Sequence, residues 1–303
     1  MNIDVHAHYI PKSCLELWEP ALDPGIHVGH MTDLGQRLSD MDAMGVDVQA
    51  ISPWLGFLNS EPATARRINE GMMDAVNLHP NRFIGLAAVP MSSPLEAATE
   101  LERAVNELGM RGVGIGTSVD GTNLDAKEFA PFYAMVQELD VPVFIHPVVA
   151  LGGDRLLSYY LGNLMGFPSD TAVAAASLIF GGVLKEFPRL KFYLAHGGGS
   201  CPYLYGRWEH GWQVRPEPRA VIQELPSQYF NLLYFDSLLH SVSTLSYLIT
   251  TVGADKVMLG TDYPYDMGDH SPLSAIDSLP GLSESEKAQI RGHNAAALFR
   301  LNT

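Results

Sequence analysis

Eight short apolar runs, separated by longer amphipathic ones, constrain this chain more than any other feature. The runs cover residues 3–8, 47–53, 83–90, 112–116, 141–147, 191–196, 233–237 and 257–262. Between them, residues 32–44, 61–79, 94–108, 126–139, 169–187, 203–212 and 241–252 carry apolar side chains at helical spacing. Strands that alternate with helices imply a parallel sheet. The strands are almost continuously apolar, as a sheet covered on both faces requires. Eight such units in 303 residues predict one closed (β/α)8 TIM barrel spanning residues 1–303. Residues 11–30, rich in Pro and Gly, predict a loop insertion over the barrel mouth, and 151–168 predict a second long loop.

Composition narrows the function classes. Hydrophobic residues make up 47% and charged residues 17%, enough to bury a large core. The net charge is −15 and no run of Lys and Arg occurs, which argues against nucleic acid as a partner. No segment has transmembrane length, and the N-terminus lacks the pattern of a signal peptide. The two cysteines, Cys14 and Cys201, form no disulfide framework. A cytoplasmic protein with no membrane partner is the expectation.

Barrel enzymes carry their chemistry at the carboxyl ends of the strands. Here those ends hold His6 and His8 after the first run, His146 after the fifth, His196 after the sixth and Asp262 after the eighth. Residues two apart on a strand share a side, so His6 and His8 make half of a metal site. A lone His after a strand is usually a hydrogen-bonded structural residue; the coincidence at four strand ends argues for a site. Catalytic zinc keeps one position for water, so one of the five candidates is left for proton transfer. Asp236, at the end of the seventh run, is a candidate to support a ligand from behind. Asp4 reads as a hydrogen-bonding residue. His27, His30, His79, His240, His270 and His293 fall in loops or at helix ends and are not assigned to the metal. Gly197–Gly199 lacks phosphate-loop spacing and reads as a tight turn beside His196.

These residues carry a resemblance. His6-Ala7-His8, His146-Pro147, Ala195-His196-Gly197-Gly198-Gly199 and Gly260-Thr261-Asp262-Tyr263-Pro264 resemble the amidohydrolase superfamily, and most closely its decarboxylase branch, typified by aminocarboxymuconate semialdehyde decarboxylase. Met41-Asp42-x-x-Gly45-Val46, Arg82-Phe83-Ile84-Gly85-Leu86 and Gly292-x-Asn294-Ala295 extend the resemblance along the chain. It implies a (β/α)8 barrel of metal-dependent hydrolase type, one divalent metal and a homodimer. By motif, His6, His8, His146 and Asp262 are the implied metal ligands, and His196, with Asp262, the implied catalytic residues. Arg215 is the implied substrate residue, supplied across the dimer interface. Two departures stand out. No Arg occurs between His8 and Arg37, and Asn163 replaces an aromatic residue of the substrate pocket.

The implied activity is metal-dependent, non-oxidative decarboxylation of a small carboxylic acid, aromatic or muconate-like. Three imidazoles and one carboxylate suit zinc first and manganese second. Hydrolysis of a lactone or hydration of an unsaturated acid at the same site is the alternative, because the same cation activates water.

Overall fold

The computed structural model describes residues 1–18 and 28–301. Eight parallel strands form the barrel: β1 (Ile3–Tyr9), β2 (Val48–Pro53), β3 (Phe83–Ala87), β4 (Gly112–Gly116), β5 (Pro142–His146), β6 (Lys191–Leu194), β7 (Tyr234–Asp236) and β8 (Val257–Met258). Each pairs with the next in sequence order. The barrel closes where Val5 N donates to Leu259 O (2.9 Å), Asp262 N to His6 O (2.8 Å) and His8 N to Tyr263 O (2.7 Å). The predicted eighth strand, 257–262, pairs regularly only over Val257–Met258; the chain runs on beside β1 and turns to a positive φ of 59° at Asp262.

The helices that matter for the site are α1 (Leu34–Met44), α2 (Pro62–Leu78), α3 (Pro94–Asn106), α4 (Ala130–Leu139), α5 (Phe167–Phe180), α6 (Cys201–Val214) and α7 (Val242–Val252). Asp33 caps α1, its side chain accepting from Gln36 N at 3.0 Å, so the helix starts two residues later than predicted. The long helix predicted over 169–187 breaks after Phe180. Gly182 adopts φ 82° there, and a short turn of helix, Val183–Glu186, follows. The predicted insertion falls partly on residues 19–27, outside the described residues. Its described start, Lys12–Leu17, is a 3-10 turn that buries Cys14.

Two cores result. The outer one lies between strands and helices, and includes Ala7, Tyr9, Ile51, Val113, Ile145 and Leu194. The inner one fills the barrel with Ile3, Val5, Ala50, Leu86, Phe144 and Tyr193, and is plugged at the amino end by Ala295, Leu298 and Phe299. β1 contributes Ile3 and Val5 to the inner core but Ala7 and Tyr9 to the outer one. Strict alternation forbids this; the register supplies the reason. Asp4 pairs with Gln49 and Ala7 with Ile51, so β1 carries one extra residue between them, a β-bulge. Past the bulge the inward face changes, and His6 and His8 point into the barrel above Phe144, with ring centroids 4.9 and 6.5 Å from it.

Candidate metal centre

Five side chains converge at the carboxyl end of the barrel. The ring centroids of His6 lie 5.2 Å from His8, 5.0 Å from His146 and 5.2 Å from His196. Asp262 Oδ1 is 3.1 Å from both His6 Nε2 and His8 Nε2, and Asp262 Oδ2 is 3.4 Å from His196 Nε2. One donor atom from each of His6, His146, His196 and Asp262 falls within 4.8 Å of the others. His8 joins this group through its contact with Asp262.

The hydrogen bonds reveal which atom of each ring is free. His6 Nδ1 donates to Asp236 Oδ2 at 2.6 Å. His146 Nδ1 donates to Pro147 O at 2.8 Å. His8 Nδ1 lies 3.2 Å from Ser52 Oγ, whose own hydroxyl donates to Pro53 O. A carbonyl or carboxylate only accepts, so each Nδ1 carries a proton and each Nε2 is the atom turned toward the cluster. Those three Nε2 atoms and Asp262 Oδ1 are buried and have no hydrogen-bond partner. The 3.1 Å separations of His6 Nε2 and His8 Nε2 from Asp262 Oδ1 are not aligned as hydrogen bonds, whereas His196 Nε2 and Asp262 Oδ2 form one at 3.4 Å. Four buried atoms of one cluster left without partners carry a large desolvation cost that a divalent cation would remove. Two ligands at about 2.1 Å from one cation, roughly at right angles, stand about 3 Å apart. The residues present therefore fit a divalent cation.

Electrostatics agree with that fit. Burial, followed by the neighbouring imidazoles, holds His146 well below the ordinary histidine range, and burial also lowers His8. Both stay neutral, as ligation of a metal would require. Burial alone would raise Asp262, but the attraction of His6 and the close approach of His196 and His8 hold it well below the usual carboxylate range. Burial likewise opposes charge on His6, yet Asp262 and Asp236 outweigh it and push the ring up to about 10. In metal-free protein a proton therefore sits where the cation would bind.

His196 differs from the other rings. Its side chain is 21% exposed, while those of His6 and His8 are fully buried. It has φ 56°, and Gly197, Gly198 and Gly199 follow with φ of 61°, 76° and 60°. A Cβ on Gly199 would sit 2.1 Å from Pro168 O, so only glycine lets this turn pass α5. Asp236 anchors the same turn. Its Oδ1 accepts from Gly197 N (2.7 Å) and Leu238 N (3.1 Å), and its Oδ2 from His196 N (2.9 Å) as well as from the His6 ring. One carboxylate thus sets the tautomer of His6 and the position of His196.

Behind the centre lies a buried polar relay that sequence reasoning missed. Arg37, fully buried on α1, donates to His8 O (2.5 Å) and Gln49 Oε1 (2.7 Å). Gln49 Nε2 donates to Asp4 Oδ2 (2.8 Å). Asp4 also accepts from Thr261 Oγ1 (2.6 Å), Thr261 N (3.0 Å) and His6 N (3.0 Å). It therefore ties the first strand to the chain that carries Asp262. The signal for this relay was a lone Arg on an otherwise amphipathic helix, which reads as surface until the fold buries it.

A cavity of about 460 Å³ opens above His146, His196 and Asp262, walled by Trp54, Leu157, Tyr160, Asn163, Phe167 and Tyr265. Its size suits a small organic ligand. Asn163 stands in that wall. Arg215 does not: it follows α6, with its side chain 64% exposed and paired to Glu217 of its own chain at 2.5 Å. His79 ends α2.

Residues 3–301 match the model of the family described as Amidohydrolase. The chain belongs to that family. The 2-amino-3-carboxymuconate-6-semialdehyde decarboxylase of Dictyostelium discoideum is 34% identical over 331 residues, covering 100% of this chain and 92% of the relative. The gamma-resorcylate decarboxylase of a Polaromonas species is 35% identical over 253 residues, covering 79% and 77%. Among solved structures, a dihydroxybenzoic acid decarboxylase from Polaromonas, with bound manganese and the inhibitor 2-nitroresorcinol, superposes with a TM-score of 0.86. It is 28% identical, and the match covers 100% of this chain and 97% of that one.

Proposed function

We propose that this amidohydrolase is a metal-dependent decarboxylase, a carbon–carbon lyase that acts on a carboxylated aromatic or muconate-like acid. The observation that carries the reading is the convergence of four unsatisfied buried donor atoms, Nε2 of His6, His8 and His146 and Oδ1 of Asp262, beneath a ligand-sized cavity. The named decarboxylases among its relatives support the reaction class. These four residues hold one divalent cation, zinc in first place and manganese in second. When bound, the cation supplies a Lewis acid for the substrate's oxygens.

His196 does the proton work. Its ring reaches the cavity, and Nε2 faces Asp262 Oδ2, which orients it. It delivers a proton to the ring or diene carbon that bears the carboxylate. The carbon–carbon bond then breaks, its electron pair restores the conjugated system, and carbon dioxide leaves. Apolar side chains of Trp54 and Phe167 line the site beside the cluster, and Asn163 offers a carboxamide to the substrate.

The chain works as a single barrel domain over residues 1–303 and as a homodimer. Val149, Leu157, Tyr159, Leu164, Met165 and Tyr203 expose between 51% and 87% of their surface, an apolar area that suits a partner copy. Across such an interface the exposed Arg215 of one copy would meet a substrate carboxylate bound by the other. Cys14 and Cys201 are both free and buried, in keeping with the reducing cytoplasm.

The test is a panel of hydroxybenzoates and carboxymuconates given to metal-loaded protein, with carbon dioxide and incorporation of oxygen-18 from labelled water into the organic product both followed. Carbon dioxide released without incorporated water is the expected result. Water incorporation without carbon dioxide would replace the proposal with hydrolase or hydratase chemistry. His196→Ala should lose turnover while keeping about one metal per chain; loss of the metal would make His196 a ligand instead.

A further inference from the structure

The cavity above the donor cluster has a second lobe. It encloses about 240 Å³ between the loop after β7, which carries Leu238, Leu239 and His240, and the start of α5. The two lobes meet at Asn163, Phe167, His196, Asp262 and Met267. Among the described residues, no Lys or Arg lines either lobe. Asp262 and Asp266 do, in a chain of net charge −15. A substrate with one carboxyl group at the cation would find little from the same chain to stabilise a second anionic oxygen elsewhere in this cavity.

His240 is the exception. Among the described residues it is the one imidazole of the two lobes that does not belong to the metal cluster. Its backbone sits at φ 54°, a region uncommon for residues other than glycine. Both flanks of the loop hold it there. On one side Leu238 N is tied to Asp236 Oδ1; on the other Ser241 caps α7 by accepting from Thr244 N. Strain that the surroundings impose in this way is a mark of functional loops. Among the described residues, no hydrogen bond or ion pair engages the ring. Its nitrogens are available to a ligand.

We propose that His240 is a specificity-determining residue: its imidazole donates to a second anionic oxygen, distant from the carboxyl group that reacts. Asn163, shared by both lobes, supplies a further amide donor on the way. The inference rests on the decarboxylase reading for where the reacting carboxyl lies. It adds that the preferred substrates are dianions that span both lobes.

Manganese-loaded protein is titrated calorimetrically with benzoate, isophthalate and terephthalate, in wild type, His240→Ala and His240→Asn. Asparagine tolerates the left-handed backbone, so the second variant removes the ring without adding strain. Wild type should bind at least one dicarboxylate about tenfold more tightly than benzoate, the scale of one charge-assisted hydrogen bond. Both variants should lose that preference, while benzoate affinity, metal content and melting temperature hold. An unchanged preference in the variants, or none in wild type, would overturn the role of His240. Failure of wild type to hold manganese or to bind benzoate would overturn the decarboxylase reading, and this proposal with it.

Discussion

Replacing Asp236 with asparagine isolates the support behind the metal centre. Asp236 accepts four hydrogen bonds: Oδ2 from His6 Nδ1 (2.6 Å) and His196 N (2.9 Å), Oδ1 from Gly197 N (2.7 Å) and Leu238 N (3.1 Å). An amide keeps one oxygen and turns a donor toward the other pair. If its oxygen faces His6, the amides of Gly197 and Leu238 are both left unsatisfied, at about 1–3 kcal/mol each. If its nitrogen faces His6, only His196 N is stranded, and the imidazole adapts by shifting its proton to Nε2. The second arrangement costs less. It also places a proton on the atom meant for the cation. Metal affinity should fall about 10- to 100-fold, or about 1.4–2.7 kcal/mol. Competition with a chromophoric chelator measures this, and a melting curve of the metal-free variant shows that it folds. A folded Asp236→Asn protein that binds zinc and manganese within about twofold of wild type would refute the argument.

Three further outcomes are expected. His6 is held at about 10 without metal, so at neutral pH the incoming cation must displace its proton. Affinity should then rise with pH, up to about tenfold per unit below that value, with about one proton released at pH 7. Calorimetry in two buffers of different ionisation enthalpy reads the release, and equal apparent enthalpies would contradict it. Arg37→Lys keeps the charge but cannot span Gln49 Oε1 and His8 O, so chemical denaturation should show a loss of about 2–4 kcal/mol; an unchanged midpoint would return Arg37 to a passive role. Gly199→Ala sets a Cβ against Pro168 O at a positive φ. It should cost about 3 kcal/mol or prevent folding, and soluble wild-type-like protein would refute the close approach.

Much of the fold was legible because strand–helix alternation is a local property of the chain. Each apolar run needs cover on both faces, and eight of them in series leave a barrel as the economical solution. Strand and helix positions agreed within a few residues, except that β8 pairs regularly only over Val257–Met258 and that Gly182, at a positive φ, splits the helix predicted over 169–187. The polar strand ends, His6, His8, His146, His196 and Asp262, were legible as well. Their residue types are costly to bury, and their placement repeats from strand to strand. Arg37 was not legible, because an Arg on an amphipathic helix carries no sign of the Gln49 and Asp4 that await it. Nor was the pairing of Arg215 with Glu217, two residues on.

The sequence by itself determined the architecture and the donor types. What only the tertiary structure decided was direction. His6 and His8 face the barrel interior because a bulge between Asp4 and Ala7 reverses the inward side of β1. Strand register depends on pairing with β2, some forty residues away, and a shift of one residue exchanges every side chain between lumen and helix layer. The tautomers of the three imidazoles were settled in the same way, by Asp236, Ser52 and Pro147, since a ring nitrogen becomes a ligand only when its partner nitrogen has somewhere to place its proton.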